Sequence, residues 1–362
     1  MKNRLLTLTY NLLACPTAPF REHAVQAHIK NFCNAHTMPF HQDQMGNIIV
    51  AFGNAFPATG LAFEAHMDHP GFIIEKDSRG GKTTALFYGG VEEKYFAGST
   101  VRVFSAAGSV TGKILKTSFH VKQHVKRVWL ELTGPVQRGD TGMWNLPACR
   151  VKGDKLFSRA CDDQVGCVAI LGLLNELRRR RIRKQVTAIF TVAEEGGLHG
   201  AKHLCLKKKL PKRLNIISVE TSKTSAYAPI GGGAVIRVGD SGRIFDDGLT
   251  RFMAYAARKS GKRNKNFKWQ RKLMDGGTCE SSIYQAFGYR TGALCIPLGN
   301  YHNRDEKKGR IAAEYVSVSD LENMVRLFLE IVRQSDALPE YLKAKTPDYI
   351  EECRELGERL YF

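Results

Sequence analysis

Apolar residues at Leu5, Leu8, Leu12 and Leu13 recur at helical spacing, and residues 20–33 repeat that period, so two amphipathic helices open the chain. Residues 46–52 (GNIIVAF) and 61–65 (LAFEA) then read as strands. Residues 71–150 change character: short β-like runs at 84–87, 99–104 and 127–132 alternate with Gly-rich turns, the pattern of an all-β insertion. From Asp163 the helical period returns, with Val165, Val168, Ala169, Leu173 and Leu177 on one face. Apolar runs at 186–192, 214–219 and 293–298 are expected strands. Leu321, Met324, Val325, Phe328 and Val332 mark a further helix, with Ser319 or Asp320 as its expected N-cap.

Strands alternating with helices imply an α/β fold: a mixed, mostly parallel sheet flanked by helices, with its site at the carboxyl ends of the strands. The expected division is a first catalytic part at 1–72, an inserted β-rich domain at 73–157 and a second catalytic part at 158–362. Neither an internal repeat nor a low-complexity linker interrupts it.

Composition excludes disorder, and 362 residues suffice for a sizeable core. The nine cysteines form no C-x-x-C pair and read as reduced thiols of a cytoplasmic protein. Residues 1–15 imitate an export signal, but Thr7, Thr9, Tyr10 and Asn11 interrupt the apolar stretch and favour a plain helix. No apolar run reaches membrane-spanning length. The formal charge of +19 is concentrated in residues 178–184 (RRRRIRK), 207–213 and 258–272. These clusters lack the interleaved aromatics of a base-stacking surface, which favours a solvated basic surface over a nucleic-acid or acidic-lipid partner.

The chemistry lies in five short segments, each expected just past a strand: around His66 and Asp68, Asp162 and Asp163, Glu194 and Glu195, Glu220, and His302. Divalent ions such as Zn²⁺ take nitrogen from His and oxygen from carboxylates. Two ions at the usual separation of about 3.5–4 Å need a bridging carboxylate. One bridge and two terminal ligands per ion make five protein ligands, and the segments supply five while leaving Asp68, Asp163 and Glu194 for supporting and acid–base roles. Each residue alone would be an ordinary polar group; their joint order after strands is what distinguishes them.

Those residues also carry a resemblance. AHMDHPGF at 65–72, ACDDQVGC at 160–167, AEEGGLHGA at 193–201, ISVET at 217–221, GGT at 276–278 and the stretch 296–302 resemble the TET-type (glutamyl aminopeptidase) dinuclear metallopeptidases, within the clan of co-catalytic zinc exopeptidases. The resemblance runs through nearly the whole chain. It implies that His66, Asp162 and Glu220 hold one ion, that Asp162, Glu195 and His302 hold the other, and that Asp162 bridges. It further implies that Asp68 orients His66 and that Glu194 is the general base. The ions would be two per chain, zinc with cobalt as a substitute. The step of 94 positions from Asp68 to Asp162 is where that family inserts its dimerisation domain, so the resemblance implies dimers and, built from them, dodecamers.

Three positions depart from the pattern: Glu220 stands where Asp is usual, His69 replaces an acid, and Gln164 replaces Arg or Asn. The reaction implied is removal of N-terminal residues from short peptides by a water bridged between the metals. A carboxypeptidase or N-deacylase of the same clan is the alternative, and a basic nucleic-acid- or membrane-associated protein with a vestigial site is the alternative from another class. The loops at 231–233 and 276–280 are candidates for shaping the substrate pocket. Glu220, Glu280 and Asp163 are candidates for the neighbourhood of the substrate amine.

Overall fold

The computed structural model of the chain describes residues 1–53, 55–122, 125–343 and 353–357, with 119–122 described as backbone only. The expected second catalytic part therefore runs past the described residues at 344–352 and 358–362.

Helices α1 (Lys2–Leu13) and α2 (His23–Ala35) come first, α1 burying Leu5, Leu12 and Leu13 as its periodicity demands. Strands β1 (Phe40–Gln42), β2 (Ile48–Phe52) and β3 (Thr59–His66) follow. Next come β4 (Gly71–Ile74), β5 (Gly81–Tyr88), β6 (Thr100–Ser105), β7 (Gly108–Lys122), β8 (Val125–Leu132) and β9 (Thr141–Trp144). These six close into a barrel in the order β4-β5-β8-β7-β6-β9. Its interior is aromatic: Trp144 packs 4.9 Å from Phe72, and Phe87 packs 4.9 Å from Phe96. Such offset and edge-on ring pairs fill the interior of a small barrel.

The chain then forms β10 (Arg150–Lys152), β11 (Lys155–Ser158), α3 (Gln164–Arg179), β12 (Val186–Thr191), α4 (His199–Leu206) and β13 (Arg213–Lys223). After these come β14 (Ala234–Arg237), α5 (Asp247–Arg263), β15 (Trp269–Lys272), α6 (Glu280–Ala286) and β16 (Arg290–Leu298). The short hairpin β17 (Arg304–Asp305) and β18 (Arg310–Ile311) leads to β19 (Glu314–Ser317), α7 (Val318–Arg333) and α8 (Leu338–Leu342). β11 pairs with β19, which ties the segment after the barrel to the main body.

The main sheet has eight strands in the order β1-β2-β12-β3-β13-β16-β14-β15. Its centre, β12, β3, β13 and β16, is parallel, while β2 and β14 run antiparallel to their inner neighbours. Helices cover both faces, which is why β12 is buried at every position rather than at alternate ones. On one face Phe63 meets Phe328 of α7 at 4.7 Å; on the other, Ala62 and Ile216 pack with Leu204 and Tyr284 from α4 and α6.

One sequence expectation is corrected. The N-cap of α7 is Ser317, whose hydroxyl accepts from the Asp320 amide at 3.1 Å, rather than Ser319 or Asp320. β19 runs straight into the helix, and the Asp320 carboxylate is committed elsewhere: it accepts from the amides of Gly231 and Gly233, both at 2.7 Å.

Candidate metal centre

The parallel strands deliver four of the five sequence segments to one end of the sheet, and the start of α3 brings the fifth. His66 ends β3, Glu194 and Glu195 follow β12, Glu220 lies late in β13, and His302 follows β16. Asp162 comes just before α3, where its neighbour Asp163 caps the helix by accepting from the Gly166 amide. A side chain at 166 would strike the Asp163 carboxylate, so the glycine of the DDQVG motif is a steric requirement.

Two sets of donors converge: His66, Asp162 and Glu220, and Asp162, Glu195 and His302, each with its ligand atoms within 4.8 Å of one another. His66 Nε2 lies 3.6 Å from Asp162 Oδ1 and 3.9 Å from Glu220 Oε2. His302 Nε2 lies 3.7 Å from Asp162 Oδ2 and 2.9 Å from Glu195 Oε1. That nitrogen is buried yet makes no aligned hydrogen bond, the arrangement of converging metal donors rather than of a hydrogen-bonded pair. Asp162, offering one oxygen to each set, has the position of a bridge.

Protonation tells the same story. Burial pushes the Glu220 carboxyl up to about 8, against the pull of His66. Glu194 is likewise raised well above the ordinary range by burial, with His66 opposing and Glu195 and Glu220 reinforcing. Burial works against the charge of His302, but Glu195 and Asp162 outweigh it and lift its pKa to about 9. Without a cation the cluster must hold protons to survive burial, so this donor set fits divalent ions.

All the candidate ligands but Glu220 are held by a further group. The Nδ1 of His66 lies 3.2 Å from the Asp68 carbonyl and 3.5 Å from Asp68 Oδ1, which leaves Nε2 facing the centre. The Asp68 carboxylate also accepts from the amides of Glu194 and Glu195, each at 3.0 Å, and so positions the acid pair. The barrel participates too: the Gly90 carbonyl sits 3.1 Å from His302 Nδ1. His302 has a left-handed backbone, φ 54°, which costs on the order of 1 kcal/mol. Its amide is held by Glu314 at 2.8 Å, and the same carboxylate accepts from the Asp162 amide at 3.1 Å.

His69 bonds the Asp162 carbonyl and, at 2.8 Å, Asn303, while His199 stacks on Phe20 and His203 lies 3.8 Å from Asp43. None joins a donor set. The cysteines are all free thiols, and none belongs to either set.

The centre opens into a cavity of about 290 Å³ that also admits Arg237, Thr278, Cys279 and Tyr301. The Gly276–Cys279 segment lines it as expected, but the loop at 231–233 does not, because Asp320 holds it elsewhere. Of the three acids expected near the substrate amine only Glu220 reaches the cavity. Asp163 serves as a helix cap, and Glu280 is buried beneath, bonded to Thr191 at 3.0 Å.

Sequence reasoning missed Arg237, Glu314, Tyr301 and Thr221. Thr221 donates to Asp162 Oδ1 at 3.0 Å, and Tyr301 stacks on His302 with ring centroids 3.8 Å apart. Arg237 is the most consequential. It is only 4 % exposed, its Nη2 reaches the Met274 carbonyl at 3.3 Å, its Nε has no partner, and no carboxylate among the described residues pairs with it. Nothing in the strand AVIR announces it; Thr221 and Tyr301 had a signal, their places beside Glu220 and His302.

An α/β sheet with a barrel before Asp162 and two such donor sets defines a metal-dependent exopeptidase. The chain belongs to the M42 glutamyl aminopeptidase family, whose model matches residues 46–131 and 130–327. It is a hydrolase, a metal-dependent aminopeptidase. A provisionally named aminopeptidase of Acetivibrio thermocellus is 25 % identical over 303 residues, covering 80 % of this chain and 87 % of its own. The TET1 peptidase of Pyrococcus horikoshii, solved as a dodecamer, is 25 % identical, with 91 % of this chain and 98 % of that one covered at a TM-score of 0.72. An aminopeptidase of Desulfurococcus kamchatkensis shares the fold at a TM-score of 0.77 and 21 % identity, covering 96 % and 98 %.

Proposed function

We propose that this aminopeptidase removes the first residue of short peptides, with a preference for an acidic one, using two divalent ions held by His66, Asp162 and Glu220 and by Asp162, Glu195 and His302. The observation that carries the reading is the pair of donor sets sharing Asp162 at the floor of the cavity. Ions held there, zinc by the chemistry of the His and carboxylate donors, would supply Lewis acidity to a substrate carbonyl and to the attacking water.

The chain's own groups do the rest. Glu194 belongs to neither donor set yet lines the cavity, so it is free to take the proton from water and return it to the leaving amine. Asp68 holds the backbone of the acid pair and the ring of His66, acting through them rather than on substrate. Arg237 offers an unpaired guanidinium to the side chain of the residue being removed. A buried cation without a partner costs several kcal/mol, and a carboxylate entering the cavity would relieve it.

The decisive experiment combines metal analysis with end-group chemistry. The purified protein should carry two divalent ions per chain, and chelation should abolish turnover. Acetylating the N-terminus of a good tripeptide should lower kcat/KM at least tenfold, about 1.4 kcal/mol, while amidating its C-terminus changes little. Release of the C-terminal residue, or unimpaired cleavage of acylated peptides, would move the chain to the carboxypeptidase or deacylase alternative.

Assembly belongs to the same reading. The P. horikoshii TET1 peptidase is described as forming a tetrahedron or a large octahedral shell, and closed assemblies confine access to short substrates. The barrel is proposed as the subunit contact of a homo-oligomer, a dimer at least, in a cytoplasmic setting. Among the described residues no helix is long and apolar enough to cross a membrane. Light scattering at micromolar concentration should give a mass of at least two chains; a monomer would defeat this part.

A further inference from the structure

The catalytic reading leaves the charge of +19 unused, and the fold shows where much of it goes. In a parallel sheet the crossover loops before each strand emerge at the end opposite the active site. Here the 178–184 cluster precedes β12, the 207–213 cluster precedes β13, and Arg290 opens β16. Three stretches distant in sequence therefore meet along the amino-terminal edge of β12, β3, β13 and β16. At about 4.8 Å per strand that edge is about 15 Å across.

The edge is concave. One groove, about 680 Å³, is walled by Arg178, Arg181 and Arg183 over an apolar floor that includes Met38, Phe52 and Ile182. A second, about 610 Å³, is walled by Lys212, Arg213 and Arg290 beside Thr59 and Gly60. Some of this charge is neutralised: Lys184 pairs with Asp336 at 2.6 Å, Arg290 with Asp246 at 3.3 Å, and Glu176 engages Arg179 and Arg180. Arg178, Arg181, Arg183, Arg213 and the lysines 207–209 are exposed and have no ion-pair partner among the described residues.

We propose that this edge is a binding surface for the phosphate backbone of nucleic acid, engaged without regard to sequence and separate from the peptidase cavity. Unpaired arginines suit phosphate because the planar fork of donors matches its oxygens. Two basic grooves along the same sheet edge suit a strand passing over both; a lipid bilayer would present a flat surface to a concave one. The scarcity of aromatics among the clusters, which argues against base stacking, fits contact through phosphates alone. The grooves lie behind the sheet from the metal centre, so occupancy does not require the peptide site.

The test uses the whole protein and a fluorescein-labelled 20-nucleotide poly(U) strand, followed by anisotropy between 50 and 300 mM salt. Binding at 50 mM salt should weaken steeply with salt. Two separate triple variants are compared, R178S/R181S/R183S and K207S/K208S/K209S, with peptidase turnover confirming that each is folded. Each should weaken binding at least tenfold at 100 mM salt and reduce the slope of log K against log salt by about 2, the value for three lost single-strand contacts. No binding by the wild type at 50 mM salt, unchanged binding by both variants, or capture by phosphatidylserine vesicles but not by poly(U) would overturn the assignment.

Discussion

Glu194→Gln is expected to lower kcat by about 10²–10⁴-fold with both ions retained, because general-base catalysis supplies a factor of that size. The substitution keeps shape and removes the titratable oxygen. Glu194 lines the cavity and stands outside both donor sets, so no metal ligand is lost with it. Its neighbour behaves differently. Glu195 Oε1 is 2.9 Å from His302 Nε2 inside the second set, so Glu195→Gln should lose one ion and activity together. Metal per chain and kcat measured on the same preparations separate the two roles. If Glu194→Gln lost metal while Glu195→Gln kept it, the assignments would be exchanged.

Adjacent acids doing different work show how far sequence reasoning reaches in this molecule. Most of the donor set was legible because His66, Glu195, Glu220 and His302 lie at or near the end of strands whose apolar runs are unmistakable, and parallel strands bring such positions to one edge; Asp162, ahead of α3, was legible from its motif. The barrel strands were legible as alternating runs between glycine turns; their closure was not, since it depends on pairing β4 with β9 across some seventy residues. Glu314 was invisible for a related reason. It supports Asp162 and His302 by accepting backbone amides, and backbone amides leave no trace in a sequence. The cap of α7 went astray by two residues because several small polar residues compete there and tertiary bonds from the 231–233 loop claim Asp320. The basic clusters were visible but not their meeting, which needs the strand order of the sheet.

Arg237→Met should lower kcat/KM for an N-terminal glutamyl substrate at least roughly thirtyfold, about 2 kcal/mol, since truncating one partner of a buried charge pair costs at least that much. Leucyl substrates should be unimpaired, because methionine keeps most of the apolar stem and removes only the guanidinium. Arg237→Lys should fall between, keeping charge but losing the fork. Stability supplies an independent readout. An arginine retained for packing would lower Tm on removal, whereas Arg237 makes one hydrogen bond, to the Met274 carbonyl, and leaves Nε unpaired, so Arg237→Met should leave Tm nearly unchanged. Glutamyl and leucyl p-nitroanilides with the wild type and both variants decide the matter. Equal losses on both substrates, or a wild type that prefers leucine, would mean that Arg237 shapes the cavity without reading the side chain. A selective loss would place the acidic preference on one residue of β14, a strand that contributes nothing to the metal sets.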